Sequence, residues 1–565
     1  MRKLLLFLVL AFVCTDSFSL PRKKSEALRI ATKVLGETNV LKEVDDSMLA
    51  RGRRVQSKKT FYIFNAEDNA GFVIVGGDDR LPEVMAYSHS GTFDVSNLHP
   101  AAEAFLDAVA DIADRENVAD NEIATRAMDN PVPIVEPLIK TQWDQGVPYN
   151  GMCPMDGSKR SLVGCVATAF SQIMRYWEWP KTGKGKLSYT CSLPGYGKIE
   201  VDFSQSEYDW ESMPNTTKEI NDSQVSKDAV AKLCYECGVA TRMNYSHDGS
   251  GTQDSYSVQA LYSYMRYKAS TINWLLRECY SSQEEWDAIW KKELDEGRPL
   301  LYAGATVDHA GHAFIFDGYD SNGYVHVNWG WGGNSNGYYN MSYLGKTGSV
   351  YSEQQKMVIG IEPDYDDTDI VPKQWRTYIE DALKFKLPSS GLKLGSSRAF
   401  PVPSFYNLCP FYVTWELGVG LYDANGTFIQ NIKDSDVING DEVMLPPYRG
   451  DAKITSITFP NELKEGVYSV RIVFRQSGYD DWELPYMVGG SELNNCFVSV
   501  REGKVYLCSE DEINSIISAD AAGTEYVQYF DLQGRKLLSP AKGKIAIKRE
   551  MLSDGSSKTY KVFVK

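Results

Sequence analysis

Residues 163–180, VGCVATAFSQIMRYWEWP, decide the fold of the central part of this chain. Apolar residues recur from Val166 at the spacing i, i+3, i+4, i+7, i+8 and i+11, which predicts a helix with one buried face that ends before Pro180. Cys165 would then lie in the first turn, where unpaired backbone N–H groups and the helix dipole lower the pKa of a thiol. Gly164 would leave the backbone open to a substrate. This helix alone is equally compatible with a nucleophile and with an inert core cysteine.

A second informative stretch is residues 311–339, GHAFIFDGYDSNGYVHVNWGWGGNSNGYY. His312 opens a strand, and the pair Asn322-Gly323 predicts a hairpin turn into the second strand, YVHVNW. A histidine at a strand start beside a glycine can meet a helix-borne thiol in a cleft, as a thiolate–imidazolium pair requires. The alternatives are a structural histidine and, together with His309, an H-x-x-H metal site. No third ligand pattern accompanies that pair, so we expect neither a metal nor a cofactor.

The N-terminus has the pattern of a secretory signal peptide. Arg2 and Lys3 precede an apolar run of ten residues and a few small residues, which predicts a signal peptide at residues 1–19 and an exported protein. A bilayer needs about 20 apolar residues, and no later segment is long enough, so we expect no membrane span.

The remaining segments predict separate domains. Residues 20–126 predict a small α+β unit that begins with a helix at residues 24–35 and contains two short strands. A polar, proline-bearing linker at residues 119–133 follows this unit and is a good site for proteolysis. Residues 364–510 consist of short alternating segments between turns, which predicts an Ig-like β-sandwich. Residues 521–565 predict a small all-β domain.

Charge and cysteine content limit the functions that fit. The formal net charge is −16, and an acidic chain lacks the basic footprint that phosphates need, so we expect no nucleic-acid partner. The ten cysteines become nine without Cys14 of the signal peptide, and an odd number in an exported protein implies a free thiol or an intermolecular bridge. Cys234 and Cys237 form a C-x-x-C in a helical pattern, which favours core thiols over a redox or metal pair.

The two quoted segments, in this order, resemble the streptopain family of bacterial cysteine peptidases and, more distantly, the papain fold. The resemblance covers residues 20–363 and implies an α+β fold: a papain-like catalytic domain at residues 127–363, preceded by an α+β propeptide and followed by the β-sandwich and all-β domains. It also implies individual roles: Cys165 as nucleophile, His312 as general base, Gln145 in WDQGVPYN as oxyanion-hole donor, Asn328 as the residue that orients the histidine, and Trp329 as the residue packed beside it.

The resemblance further implies a substrate cleft. The loop SHDGSGTQDS, which begins at Ser246, is similar to a substrate-cleft loop of the family. Candidate substrate contacts are therefore Gly164, Ser250, Gly251 and Gly311. The alternative for the loop is an ordinary surface connection.

One member of the predicted site fits poorly. With a two-residue hairpin at Asn322-Gly323, Asn328 would pair with Asp317, which lies five residues, or roughly 16 Å, along the strand from His312. Asn328 can reach the histidine only if the strands bend or the loop is longer. Otherwise a Cys–His dyad acts alone.

These observations lead to one main functional prediction. The resemblance implies a secreted or cell-surface cysteine endopeptidase made as a zymogen, with proteins and peptides as substrates and its own propeptide as inhibitor. The C-terminal segment YFDLQGRKL is similar to sorting domains that an export machinery recognises. Two alternatives remain: a cell-wall amidase or acyltransferase that uses the same Cys–His pair, and a secreted adhesin in which the pair has no catalytic role.

Overall fold

In a computed structural model, the chain forms two compact units. The first unit comprises Met1–Arg376, Leu408–Tyr412 and Pro446–Tyr448, and the second comprises Thr377–Asn407, Val413–Leu445 and Arg449–Lys565. The structure describes residues 21–45, 60–77, 81–98, 102–103, 105–107, 131–191, 197–280, 282–305, 311–341, 353–369, 377–409, 412–424, 426–433, 442–445, 449–477, 480–488 and 491–508, together with the strands of residues 524–563. The predicted signal peptide, most of the predicted linker and His309 lie outside the described residues.

Both helices and strands build the first unit, as the sequence predicts. The helices are α1 (Lys24–Leu35), α2 (Cys165–Trp177), α3 (Thr217–Asn221), α4 (Gln224–Ala240), α5 (Ser255–Ser263) and α6 (Gln283–Asp295). The strands are β1 (Leu41–Glu43), β2 (Phe61–Ala66), β3 (Phe72–Gly76), β4 (Val84–Ser88), β5 (Pro133–Val135), β6 (Met155–Asp156), β7 (Lys159–Arg160), β8 (Lys186–Thr190), β9 (Lys198–Asp202), β10 (Asn273–Leu276), β11 (Leu300–Ala305), β12 (Gly311–Asp320), β13 (Val325–Asn328), β14 (Gly337–Tyr339) and β15 (Glu353–Ile359).

A sheet of eleven strands forms the centre of this unit, in the order β1-β2-β3-β4-β14-β13-β12-β11-β15-β10, with β5 added beside β12. Strands β1 to β4 come from the N-terminal α+β region, and the others come from the region that carries the motifs. The two sets join where β4 pairs antiparallel with β14, with Tyr87 opposite Tyr338 and Ala86 opposite Tyr339. The N-terminal region thus extends the sheet on which His312 lies.

The predicted central helix is present as α2, which begins at Cys165 and ends at Trp177. Its buried side chains pack in one core with residues of α4, β11 and β12. Helix α4 carries Cys234 and Cys237 as fully buried free thiols, as the sequence predicts for core cysteines. Among the helices that the structure describes, none is long and apolar enough to cross a membrane.

The second unit is built from strands. They are β16 (Thr377–Ile379), β17 (Leu392–Lys393), β18 (Ser397–Asn407), β19 (Val413–Tyr422), β20 (Phe428–Asn431), β21 (Glu442–Leu445), β22 (Gly450–Thr458), β23 (Gly466–Gln476), β24 (Tyr486–Met487), β25 (Cys496–Arg501), β26 (Lys504–Leu507), β27 (Thr524–Phe530), β28 (Lys536–Leu537), β29 (Ile545–Leu552) and β30 (Ser557–Phe563).

These strands form three sheets: β22-β18-β16-β24, then β17-β26-β25-β23-β19-β20 with β21 beside β19, and finally β28-β27-β29-β30. The first two sheets contact each other through buried aromatic side chains, since the rings of Phe405 and Phe474 lie 5.2 Å apart. The strands expected in residues 364–510 and 521–565 are therefore present. The Ig-like classification stays a prediction.

Candidate active site

Cys165 is the first residue of α2, and the backbone before it requires a glycine. Gly164 caps the helix with a φ of 91°, a conformation that residues with a Cβ rarely adopt. A Cβ at this position would lie 2.7 Å from Cε of Met243 and 3.0 Å from the carbonyl oxygen of Ser250. Gly164 therefore lets the backbone pass close to Met243 and Ser250 directly before Cys165 begins the helix.

The sulfur of Cys165 lies among backbone N–H groups. Burial raises the pKa of the thiol, while N–H groups of Ala313, Val166 and Cys165 itself oppose the rise because they donate to the sulfur. The N–H groups at the helix start thus act in the expected direction and lower this pKa, but in the full-length chain desolvation outweighs them and the pKa is raised. The contact with Ala313 places the sulfur beside the residue that follows His312.

His312 lies at the start of β12, as predicted, and its side chain is half-buried. Its Nε2 lies 3.4 Å from the carbonyl oxygen of Trp329. Burial lowers the pKa of the imidazole to about 4, against the smaller opposite effect of that carbonyl. Cys165 packs against the core that contains Ala313, the residue that follows His312.

Gln145 lies beside the segment that leads into α2. Its carbonyl oxygen accepts a hydrogen bond of 3.0 Å from the N–H of Val163, two residues before Cys165, and the residue is only 7% exposed. Its own N–H donates to the carboxylate of Asp144. This placement is compatible with the oxyanion-hole role that the sequence predicts.

The hairpin that carries Asn328 differs from the expected one. Asp320 accepts at Oδ1 from the N–H groups of Asn322 and Tyr324, which stabilises a turn longer than two residues. A bulge between Phe316 and Gly318 shifts the register again. Asn328 consequently lies opposite Ile315 and not opposite Asp317, three residues from His312 along β12.

The side chain of Asn328 holds the end of β13 in place. Its Nδ2 donates to the carbonyl oxygen of Thr141 at 2.9 Å and to Oε1 of Gln172 at 3.3 Å, and its Oδ1 accepts from the N–H of Gly330 at 3.0 Å. These contacts fix the backbone around Trp329, whose carbonyl oxygen faces His312. Asn328 is thus linked to His312 through the backbone of Trp329, and its orienting role stays a prediction.

Trp329 is fully buried next to the histidine strand. Its indole ring lies 4.8 Å from the ring of Phe314, two residues after His312, and 5.2 Å from that of Tyr339. Its Nε1 donates to the carbonyl oxygen of Ser335 at 3.1 Å. Ring and carbonyl together place Trp329 beside His312, as the sequence predicts.

The four candidate substrate contacts have different surroundings. Gly311 and Gly251 are exposed, and within the described part of the chain no other atom lies within 3.5 Å of a Cβ built on either. Gly164 is buried under its neighbours. Ser250 is 8% exposed, and its hydroxyl donates to the carbonyl oxygen of Leu162 at 2.6 Å, so this side chain ties the loop to the chain before Cys165.

Two features of the site escaped the sequence analysis. The N–H donor of Ala313 has no sequence signal, because every residue except proline carries one. Asp254 accepts from Nε1 of Trp274 at 2.7 Å and from Nζ of Lys356 at 3.4 Å, and its charge adds to the rise in the pKa of Cys165. Nothing in the sequence connects residues this far apart. No cluster of His, Cys, Asp or Glu in the described part of the chain could hold a metal ion.

A thiol at the start of a buried helix, next to a histidine at the start of an antiparallel strand, is the arrangement of a cysteine peptidase. Residues 143–339 match the Peptidase C10 family, and residues 20–112 match the Spi protease inhibitor family. Streptopain of Streptococcus pyogenes is 32% identical over 332 residues, which are 54% of this chain and 82% of streptopain. This chain therefore belongs to the peptidase C10 family of cysteine peptidases, which confirms the predicted resemblance.

Two further relatives show how far the similarity extends. The thiol protease/hemagglutinin PrtT of Porphyromonas gingivalis is 30% identical over 472 residues, which cover 79% of this chain but 52% of PrtT. The chain thus spans about half the length of that relative. A prointerpain A fragment of Prevotella intermedia is a solved structure with 30% identity; the match covers 58% of this chain and 100% of the fragment, with a TM-score of 0.47.

Proposed function

We propose that this chain is an exported cysteine endopeptidase, made as a zymogen, that hydrolyses peptide bonds of proteins through a thioester. The observation that carries the proposal is that Cys165, the first residue of α2, packs against the core that contains Ala313, the residue after His312 in β12. Membership of the C10 family favours peptide bonds over cell-wall amides as the target.

The proposed reaction assigns a residue to each step. His312 takes the proton of Cys165, and the thiolate attacks the carbonyl carbon of the scissile peptide. The N–H of Cys165 and the carboxamide of Gln145 would donate to the resulting oxyanion, and one such donor contributes about 3 kcal/mol. The C–N bond breaks as His312 gives the proton to the leaving amine. Water, deprotonated by His312, then hydrolyses the thioester and restores the thiol.

The ionisation states of the full-length chain support latency. Burial raises the pKa of Cys165 and lowers that of His312 to about 4, so near pH 7 the pair is neutral. Catalysis needs a thiolate beside an imidazolium, which is the form that burial disfavours. We expect activation to admit water to this site.

The antiparallel pairing of β4 with β14 supports the proposal that the N-terminal region is the inhibitor. Strand addition of this kind is a common mode of protein recognition. The hydroxyl of Tyr324 donates to the carbonyl oxygen of Val84 at 2.6 Å, and the N–H of Asn340 donates to the carbonyl oxygen of Met85 at 3.1 Å. The match to an inhibitor family over residues 20–112 includes β4.

The test of the function is hydrolysis of denatured casein by the full chain before and after proteolysis within residues 119–133. We expect hydrolysis mainly after cleavage, and none for Cys165→Ala. Cys279→Ala is the matched control, because Cys279 is also a half-buried thiol but lies after β10. Activity that survives in Cys165→Ala would refute the proposal. Release of peptidoglycan fragments without casein hydrolysis would favour the amidase alternative.

We also propose that residues 521–565 direct export to the medium or the cell surface. In support, strands β27 to β30 pair only with one another among the described residues, so they can be removed without breaking another sheet. A chain that lacks these residues should accumulate inside the cell envelope with unchanged peptidase activity. Normal secretion of that variant would contradict the proposal.

A further inference from the structure

The loop of residues 246–251 is fastened to the chain that leads into Cys165. The N–H of Leu162 donates to the carbonyl oxygen of Ser246 at 3.0 Å, and the hydroxyl of Ser250 donates to the carbonyl oxygen of Leu162 at 2.6 Å. The carbonyl oxygen of Ser250 also faces Gly164. The loop therefore runs alongside the three residues before the nucleophile.

The outer side of this loop is open. Asp248, Gly249 and Gly251 are exposed, and no atom of the described residues lies within 4 Å of a Cβ built on either glycine. A loop with this many small residues loses much conformational entropy when it is ordered. Its shape must therefore be maintained by contacts from outside the loop.

Asp156 supplies such contacts from the β6–β7 hairpin. Its Oδ2 accepts from the hydroxyl of Ser246 at 3.2 Å, from the N–H of His247 at 3.1 Å and from Nδ1 of His247 at 2.7 Å. The N–H and ring of His247, together with the serine hydroxyl, lower the pKa of the Asp156 carboxyl, so it remains an acceptor at neutral pH. Nε2 of His247 lies 3.0 Å from the carboxylate of Asp248, which secures the ring from its other side.

We infer that Asp156 and His247 are positioning residues for substrate binding, because they fix the loop of residues 246–251 as one wall of the cleft beside Cys165. This inference rests on the proposed peptidase function. Neither residue touches the reacting atoms. Without their contact the loop is mobile and the substrate must order it on binding, which weakens binding without changing the chemical steps.

The test is steady-state kinetics of the full chain after activation by an added protease. For Asp156→Ala we expect KM to rise about 5- to 20-fold and kcat to stay within about twofold, as for loss of binding without loss of transition-state contacts. The alkylation rate of Cys165 by iodoacetamide without substrate should not change. Asp156→Asn should recover most of the affinity, since its carbonyl oxygen still accepts hydrogen bonds. If Asp156→Ala does not fold, His247→Gln, which alters the other end of the contact, replaces it.

Asp202→Ala is the matched control. Asp202 also accepts from a backbone N–H and a serine hydroxyl, both of Ser204, but lies at the end of β9. An Asp156→Ala enzyme with the KM of Asp202→Ala would overturn the inference. If kcat and the alkylation rate of Cys165 both fell in Asp156→Ala, the inference would also be overturned, because Asp156 would then act on the nucleophile. A wild-type chain that hydrolyses no peptide would refute the proposed function and this inference together.

Discussion

The hydroxyl of Tyr87 donates a hydrogen bond of 2.8 Å to Oδ2 of Asp320, and both side chains are buried. Tyr87 belongs to β4 of the N-terminal region, while Asp320 closes the hairpin that begins with His312. The ring of Tyr87 also stacks on that of Tyr338 with a centroid distance of 5.0 Å. One contact thus links the inhibitor-like region to the turn of the hairpin that carries His312.

Tyr87→Phe should weaken this link. The variant keeps the ring but leaves a buried carboxylate short of a donor, which costs about 1–3 kcal/mol. After linker cleavage, the Kd between the two parts should therefore rise about 5- to 150-fold, measured from the recovery of activity on dilution. Tyr62→Phe is the control, since its hydroxyl bonds to the carbonyl oxygen of Arg22 within the N-terminal region. Equal Kd values for both variants would show that the contact does not stabilise the inhibited state.

Alkylation should report the state of Cys165. Because burial raises the pKa of this thiol in the full-length chain, iodoacetamide should label it slowly at pH 7 and at least about tenfold faster after the N-terminal region is released. Mass spectrometry of labelled peptides measures both rates. The same rate before and after release would mean that burial does not hold the thiol in its neutral form.

Gln145→Ala should lower kcat by about 10²–10³ with little change in thermal stability, because one oxyanion donor is lost. Gln205→Ala, at an exposed turn, should leave kcat unchanged. A near-normal kcat for Gln145→Ala would remove this residue from the site.

Gly164→Ala should destabilise the fold by about 2–5 kcal/mol, since the backbone strain and the close contact with Met243 both oppose a Cβ. Gly197→Ala separates the two causes, because Gly197 has a φ of 62° but no atom of the residues that the structure describes within 4 Å of an added Cβ. The Gly197→Ala variant should lose only about 1 kcal/mol of folding stability. Denaturant unfolding of both variants measures the difference, and similar losses would show that the contact contributes nothing.

Local pattern was enough to predict much of this site. The helix from Cys165 to Trp177 and the helix at residues 24–35 follow from apolar periodicity, and both begin and end close to where the sequence places them. Gly164 was recognisable because a glycine directly before a helix has few roles. The family motifs predict that Trp329 lies beside His312, and its carbonyl oxygen lies 3.4 Å from Nε2 of the histidine. The catalytic roles of both residues stay predictions.

The errors arose where side chains act across the fold. The turn at Asn322 lengthens because Asp320 accepts two backbone N–H groups, and the bulge at Phe316 has no local signal. The pKa of Cys165 depends on how deeply α2 is buried, which the helix sequence does not reveal. The hydrogen bond between Tyr87 and Asp320 joins residues that are 233 positions apart in the sequence, so no local pattern could have indicated it.

The ionisation of His312 predicts how the folding stability of the chain depends on pH. Its pKa is lowered to about 4 in the folded chain, while an unfolded histidine titrates near about 6.5. As the pH falls from about 6.5 to about 4, the unfolded chain takes up a proton that the folded chain does not, so stability decreases with falling pH. The loss amounts to at most about 3 kcal/mol. The unfolding free energy of the wild type, relative to that of His312→Gln, should therefore fall by this amount as the pH is lowered from about 6.5 to about 4, with no further change above about pH 7. Parallel stability curves for the two proteins would show that His312 titrates normally in the full-length chain.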